Sequence, residues 1–168
     1  MSKTLTRRTV LKSAAAATLI TASPLSAQDS SQTVVEMLNK HPEDKRKRYV
    51  FHPRVVSVQP GETVLFKSVD KGHNSASIDG MIPEGVQDWN GKVGKDIEVT
   101  FDMPGMYGYE CTPHATVGMV ALVVVEGEGK LDNLEAAQSV RQRGRSKKEW
   151  VEIWAEAEEL GLLTETSA

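Results

Sequence analysis

Cys111 is the only cysteine among 168 residues. No disulfide within the chain can staple the fold, so core packing and any bound metal must hold it. The cysteine opens the run Cys111-Thr112-Pro113-His114-Ala115-Thr116-Val117-Gly118-Met119. A soft thiolate, an imidazole and a thioether therefore fall within one short segment. The apolar run Val120-Ala121-Leu122-Val123-Val124-Val125 follows at once and reads as a buried strand. One loop between two strands can thus deliver three donors. A Cys/His set with a weak thioether is what a one-electron copper centre uses.

The N-terminus directs the chain to an oxidising compartment, where an idle exposed thiol would be out of place. Thr6-Arg7-Arg8-Thr9-Val10-Leu11-Lys12 is a twin-arginine pattern, Ala14 to Ala22 is a short apolar run, and Pro24-Leu25-Ser26-Ala27 is a cleavage region. The apolar run is far shorter than the ~20 residues a membrane span needs. Residues 1–27 are therefore expected to be an export signal, with the mature chain starting near Gln28 in the periplasm. Removing Lys3, Arg7, Arg8 and Lys12 from 20 basic residues leaves 16 against 23 acidic ones, a net charge of −7. Bulk nucleic-acid binding does not suit that balance.

Residues 33–126 read as short strands. Thr33-Val34-Val35-Glu36-Met37-Leu38, Tyr49-Val50-Phe51, Val55-Val56-Ser57-Val58, Thr63-Val64-Leu65-Phe66, Ile97-Glu98-Val99-Thr100-Phe101 and Tyr107-Gly108-Tyr109 precede the Val120 run. Gln59-Pro60-Gly61-Glu62 and Met103-Pro104-Gly105 are turn signals, and residues 70–95 read as long loops. This pattern predicts an all-β sandwich or Greek-key barrel over 28–127. The composition then changes. Asp132 or Asn133 can cap a helix through Leu134, Ala137 and Val140, and Ser146-Lys147-Lys148-Glu149 reads as a capping box. Trp150, Ile153, Trp154, Ala157 and Leu160 recur at helical spacing. Residues 128–168 are expected to be a helical extension packed on the sandwich.

A second imidazole must come from elsewhere, and the chain has four histidines: His41, His52, His73 and His114. His73 lies in the loop Asp70-Lys71-Gly72-His73-Asn74 after a strong strand. Spacing favours it but leaves His41 and His52 open. A zinc site would want more thiolates or histidines and makes no use of a thioether. Iron–sulfur clusters need several thiolates.

In its ordered stretches the chain resembles the cupredoxins, the type 1 blue copper proteins. They are Val35 to Lys40, Val58 to Val64, Asp70 to Asn74, Gly80 to Pro83, Val99 to Phe101, Pro104 to Gly108, Cys111 to His114, Gly118 to Val120 and Asn133 to Ala136. Their order and spacing separate the chain from plastocyanin and azurin within that family. The resemblance implies an eight-stranded Greek-key β-sandwich followed by two C-terminal α-helices. It implies one copper per chain, held by His73, Cys111, His114 and Met119. Asn74 is expected to brace the ligand loops and the backbone N–H of Asn39 to donate to the Cys111 sulfur, since such contacts orient ligands and tune potential. The implied function is electron transfer rather than catalysis, as a monomer, to a redox partner such as a copper nitrite reductase or a cytochrome. A copper-delivery protein is the alternative reading, but delivery favours exchangeable sites. An oxidase would need further histidine clusters that the remaining histidines cannot form.

The chain departs from the family at Ala115-Thr116-Val117, where an aromatic, a glycine and a methionine are usual, and at Glu110, often basic elsewhere. The loop from His41 to Arg48 and the final helix are longer than usual. Docking is expected over an apolar patch at His114 built from Pro113, Ala115, Met81 and Pro83. Lys40, Lys71 and the run Lys45 to Arg48 would surround it, a local basic face that the acidic net charge hides.

Overall fold

The computed structural model describes residues 32–165; the expected export signal and the cleavage site near Gln28 lie outside them. Eight strands form two four-stranded sheets. The first contains β1 (Thr33–Lys40), β2 (Arg48–His52), β4 (Glu62–Lys67) and β6 (Ile97–Phe101), in the order β2-β1-β4-β6. The second contains β3 (Val55–Val58), β5 (Ala76–Ser77), β7 (Gly105–Glu110) and β8 (Val120–Val125), in the order β3-β8-β7-β5. β1 pairs with β4, and β3 with β8, in parallel. This is a cupredoxin β-sandwich. Within the long loop region, the short β5 is a strand that composition did not reveal.

The inner faces meet in one apolar layer. Val35, Met37, Phe51, Val64 and Phe66 come from the first sheet, and Tyr107, Tyr109, Ala121, Val123 and Val125 from the second. Phe51 and Phe66 meet Tyr109 edge-on at centroid distances of 4.7 and 4.9 Å, an arrangement that the ring quadrupoles favour.

All six residues of β8 are buried. Side chains alternate across a strand. Ala121, Val123 and Val125 fill the sandwich, while Val120, Leu122 and Val124 face a second apolar cluster under the helices. A strand covered on both faces reads as an unbroken apolar run, which is why this one carries no period-two signal.

Helices α1 (Leu134–Ser139) and α2 (Ser146–Glu159) follow. On α2, Trp150, Ile153 and Ala157 are buried and Trp154 packs beside them. Leu160 departs from the expected stripe. The helix ends at Glu159, Gly161 adopts a left-handed φ of 73°, and Leu160 is 57% exposed. Leu162 and Leu163 pack against the cluster instead.

Neither expected cap forms. Asn133 spends its side chain on β7, accepting from the Met106 N–H at 2.9 Å and donating to the Met106 carbonyl at 2.8 Å. It therefore ties α1 to the sheet rather than closing the helix. Ser146 lies within α2 and turns its hydroxyl to the carbonyl of Ala115. Glu149 pairs with Arg54 at 3.6 Å and Arg145 at 3.8 Å. No helix among the described residues is long and apolar enough to cross a membrane.

Candidate metal centre

β7 ends at Glu110 and presents Cys111, and β8 begins just after Met119. The loop between them is closed by its own backbone. The His114 N–H donates to the Cys111 carbonyl at 2.8 Å, Met119 N–H to the His114 carbonyl at 3.1 Å, and Cys111 N–H to the Met119 carbonyl at 3.0 Å. Ala115–Val117 forms a 3-10 turn inside it, and Gly118 takes a left-handed φ of 104°. The three candidate donors of this segment are thus fixed to one another before any metal is considered. Cys111 and Met119 are fully buried and His114 is half-buried.

His73 comes from the loop between β4 and β5 and is fully buried. Its Nδ1 lies 3.7 Å from the Cys111 sulfur, and the Nδ1 of His114 lies 3.4 Å from the same atom. The three potential ligand atoms all fall within 4.8 Å of one another. His41 and His52 stand elsewhere, with their rings edge to face at 4.9 Å in a cleft beside β2. The structure therefore brings His73, and neither of the other two, to Cys111 and His114.

The surroundings prepare these atoms to coordinate. The His73 Nε2–H donates to Asn39 Oδ1 at 3.1 Å, which leaves the Nδ1 lone pair facing the sulfur. Burial, then the neighbouring His114, hold His73 below the usual imidazole pKa, with Asp70 opposing. A neutral imidazole is the form that binds metal. Burial pushes the Cys111 thiol up; the backbone N–H groups of Asn74 and His114 oppose the shift, and Glu110 adds to it. A thiolate in this pocket therefore needs a cation beside it. A buried thiol facing two imidazole nitrogens, with a buried thioether closing the same loop, fits copper.

Asn74 braces the two loops as expected. Its Oδ1 accepts from Thr112 N–H at 2.8 Å, and its Nδ2 donates to the Gly91 carbonyl at 3.0 Å and to Thr112 Oγ1 at 3.1 Å. The expectation for Asn39 is corrected. Its N–H donates to Asp70 Oδ2 at 2.6 Å, and Asn39 acts instead through its side chain on His73. The expected apolar patch is corrected too. Met81 is 1% exposed beneath the helices and Pro83 is buried against Gly105. The surface at His114 is instead formed by Pro113, Thr116 and Val117, with Ala115 half-buried.

Two contacts carried no sequence signal. Tyr49 stacks on His114, with ring centroids 4.3 Å apart and planes 8° from parallel. The start of α2 holds the ligand loop, through Ser146 and through an Arg145 N–H donated to the Thr116 carbonyl at 2.9 Å.

Copper-binding proteins of the plastocyanin/azurin family match residues 36–126 as a family. A pseudoazurin of Methylorubrum extorquens is 42% identical over 127 residues, covering 76% of this chain and 82% of its own. One from Paracoccus pantotrophus is 39% identical over 131 residues, covering 78% and 85%. The crystal structure of pseudoazurin from Methylobacterium extorquens superimposes with a TM-score of 0.68 at 42% identity, over 74% of this chain and 98% of that one.

Proposed function

Since the chain belongs to the plastocyanin/azurin family of copper-binding proteins, in its pseudoazurin group, we propose that it is a periplasmic shuttle passing single electrons to a redox protein such as a copper nitrite reductase or a cytochrome. It is an electron-transfer protein with one copper per chain, not an enzyme. In this reading His73, Cys111, His114 and Met119 hold the metal. Residues 1–27 are the export signal, and 28–127 and 128–168 the sandwich and its helical extension, acting as a monomer.

The observation that carries the reading is the meeting of His73 Nδ1, Cys111 Sγ and His114 Nδ1 within 4.8 Å. When bound, copper supplies a one-electron couple. The protein supplies a rigid donor set. Backbone hydrogen bonds fix the Cys111–Met119 loop, Asn74 locks that loop to the His73 loop, and Asn39 fixes the His73 tautomer. Burial of His73, Cys111 and Met119 excludes water, so little solvent reorganises around the site. His114 is the half-buried member of the set, and exposed Pro113 and Val117 flank it. A partner seated there approaches the site through its imidazole. Lys40, Lys71 and residues 45–48 are exposed and supply the positive charge that would steer an acidic partner.

Titration of the purified protein with Cu(II), followed by visible absorption, tests the reading. One equivalent should develop an intense thiolate-to-copper band, and Cys111→Ser should abolish it, since an alcohol is a hard, poor ligand for this metal. A mutant retaining the same band would overturn the ligand assignment.

A further inference from the structure

Resting on the copper reading above, we propose that Tyr49 is a positioning residue for His114: its ring fixes the imidazole plane at the edge of the site and favours the oxidised state. Three independent observations meet at this residue. The first is the stack itself, nearly parallel at 4.3 Å. His73 lies beside the same contact, with its ring centroid 6.0 Å from Tyr49 and 4.8 Å from His114. The Tyr49 ring is therefore packed against the imidazole pair as well as against one ligand.

The second is the backbone. Tyr49 has a φ of 55° and is the one non-glycine residue with positive φ among the described residues. A bulky L-residue avoids this region because its Cβ meets the adjacent carbonyl. Such a conformation persists only where the surroundings impose it, and it gathers at functional sites.

The third is the register. In the β1–β2 ladder Leu38 pairs with Val50 and Lys40 with Arg48, while the intervening rung, Asn39 with Tyr49, is missing. Both residues of that rung send their side chains to the site instead: Asn39 to Nε2 of His73 and Tyr49 to the face of His114. One interruption of the sheet thus supplies a support for each of the two imidazoles.

The sign of the effect follows from the ring's charge distribution. The face of tyrosine is electron-rich and attracts positive charge lying over it. An imidazole bound to Cu(II) gives up more electron density than one bound to Cu(I), so the stack stabilises the oxidised site more. Arg48, whose guanidinium lies over the Tyr49 ring at 5.6 Å, holds the ring from its own exposed segment.

The test compares the full chain with Tyr49→Phe, Tyr49→Leu and Tyr49→Gly. Phenylalanine keeps the stacked face. Leucine and glycine delete it, and glycine also accepts the left-handed backbone, so one of the two folds even if the other is strained. In metal-free protein, NMR should show the His114 ring protons losing their ring-current shift in the leucine and glycine variants alone. In copper-loaded protein those two should show a higher reduction potential and altered relative intensities of the visible bands, with Tyr49→Phe matching the wild type. A stack worth about a three- to tenfold preference for the oxidised site is the expected size. Leucine and glycine variants with the wild-type potential and spectrum would overturn the proposal. So would a phenylalanine variant that shifts as far as they do. Absence of the charge-transfer band in the wild type would instead sink the copper reading, while the metal-free shifts would still report whether Tyr49 holds His114.

Discussion

Ser146, the first residue of α2, donates its hydroxyl to the carbonyl of Ala115, the residue directly after His114. The helix is thereby anchored to the loop that carries three of the four candidate ligands. Beside it, Gly144 has a φ of 56° and packs directly on the Thr116 carbonyl, and a Cβ at Gly118 would come within 2.9 Å of Glu149.

Ser146→Ala removes one of the two donors to that carbonyl, which keeps the Gly118 N–H at 3.0 Å. The expected cost is that of one hydrogen bond, about 1 kcal/mol, measured by urea unfolding of the metal-free protein. Gly144→Ala should cost at least as much, because both the backbone angle and the contact oppose a side chain. If Ser146→Ala unfolds at the wild-type urea concentration, α2 does not brace the loop.

Met119→Leu should preserve the fold, because leucine is close in volume to the fully buried methionine. Loss of a weak thioether donor disfavours Cu(II) more than Cu(I), so the reduction potential should rise. Voltammetry of the copper-loaded variant decides this; an unchanged or lower potential removes Met119 from the ligand set.

Arg54, just before β3, reaches Glu156 at 2.5 Å, Glu152 at 3.3 Å and Glu149 at 3.6 Å on α2. Burial pushes Glu152 up, but its bond to Arg54 and that charge, with Lys148 and Lys47, outweigh burial and hold it below its ordinary value of 4.5. A carboxylate with a depressed folded pKa binds fewer protons than in the unfolded chain. Its contribution is therefore complete above about pH 4.5 and disappears as pH falls through the folded value. Arg54→Met should lose on the order of 1 kcal/mol at pH 7, because solvent screens partners that are about a third exposed. The gap between variant and wild type should narrow below pH 4.5. Urea denaturation at pH 7 and pH 4 gives both numbers; a gap that stays constant would exclude Glu152 as its source.

Reversing Lys40 and Lys71 to Glu should slow electron transfer to an acidic partner several-fold at low salt, with the visible spectrum intact. Steering by exposed charge acts on the association rate and is screened over about 10 Å at 0.1 M salt. Stopped-flow mixing at two ionic strengths checks this. A rate indifferent to both salt and reversal points to an apolar contact centred on Pro113 and Val117.

The sandwich was legible because turn residues such as Gln59-Pro60-Gly61-Glu62 and the apolar run at Val120 are local signals. The Cys111, His114 and Met119 segment was legible for the same reason. His73 was not fixed by spacing, since its approach to Cys111 is made by the packing of two distant loops; only the family resemblance selected it. Tyr49 gave no sign of its stacking because a tyrosine in a β-rich run reads as strand, and its left-handed φ is a tertiary outcome. Asn133 and Ser146 sit where caps belong, yet each found a better partner across the fold, in Met106 and Ala115. Met81 and Pro83 looked like surface near matched motifs, but Met81 is covered by the helical cluster and Pro83 by Gly105, tertiary contacts that the sequence did not specify.

β8 serves two interiors at once, with Ala121, Val123 and Val125 in one and Val120, Leu122 and Val124 in the other. The strand is in effect two interleaved texts read by different neighbours. Substitutions at its odd positions can be compensated only from the opposing sheet, and those at its even positions only from the helices. A lineage, or an engineer, can therefore rewrite the helical coat by drawing on one half of the strand while leaving untouched the half that packs with Cys111 and Met119.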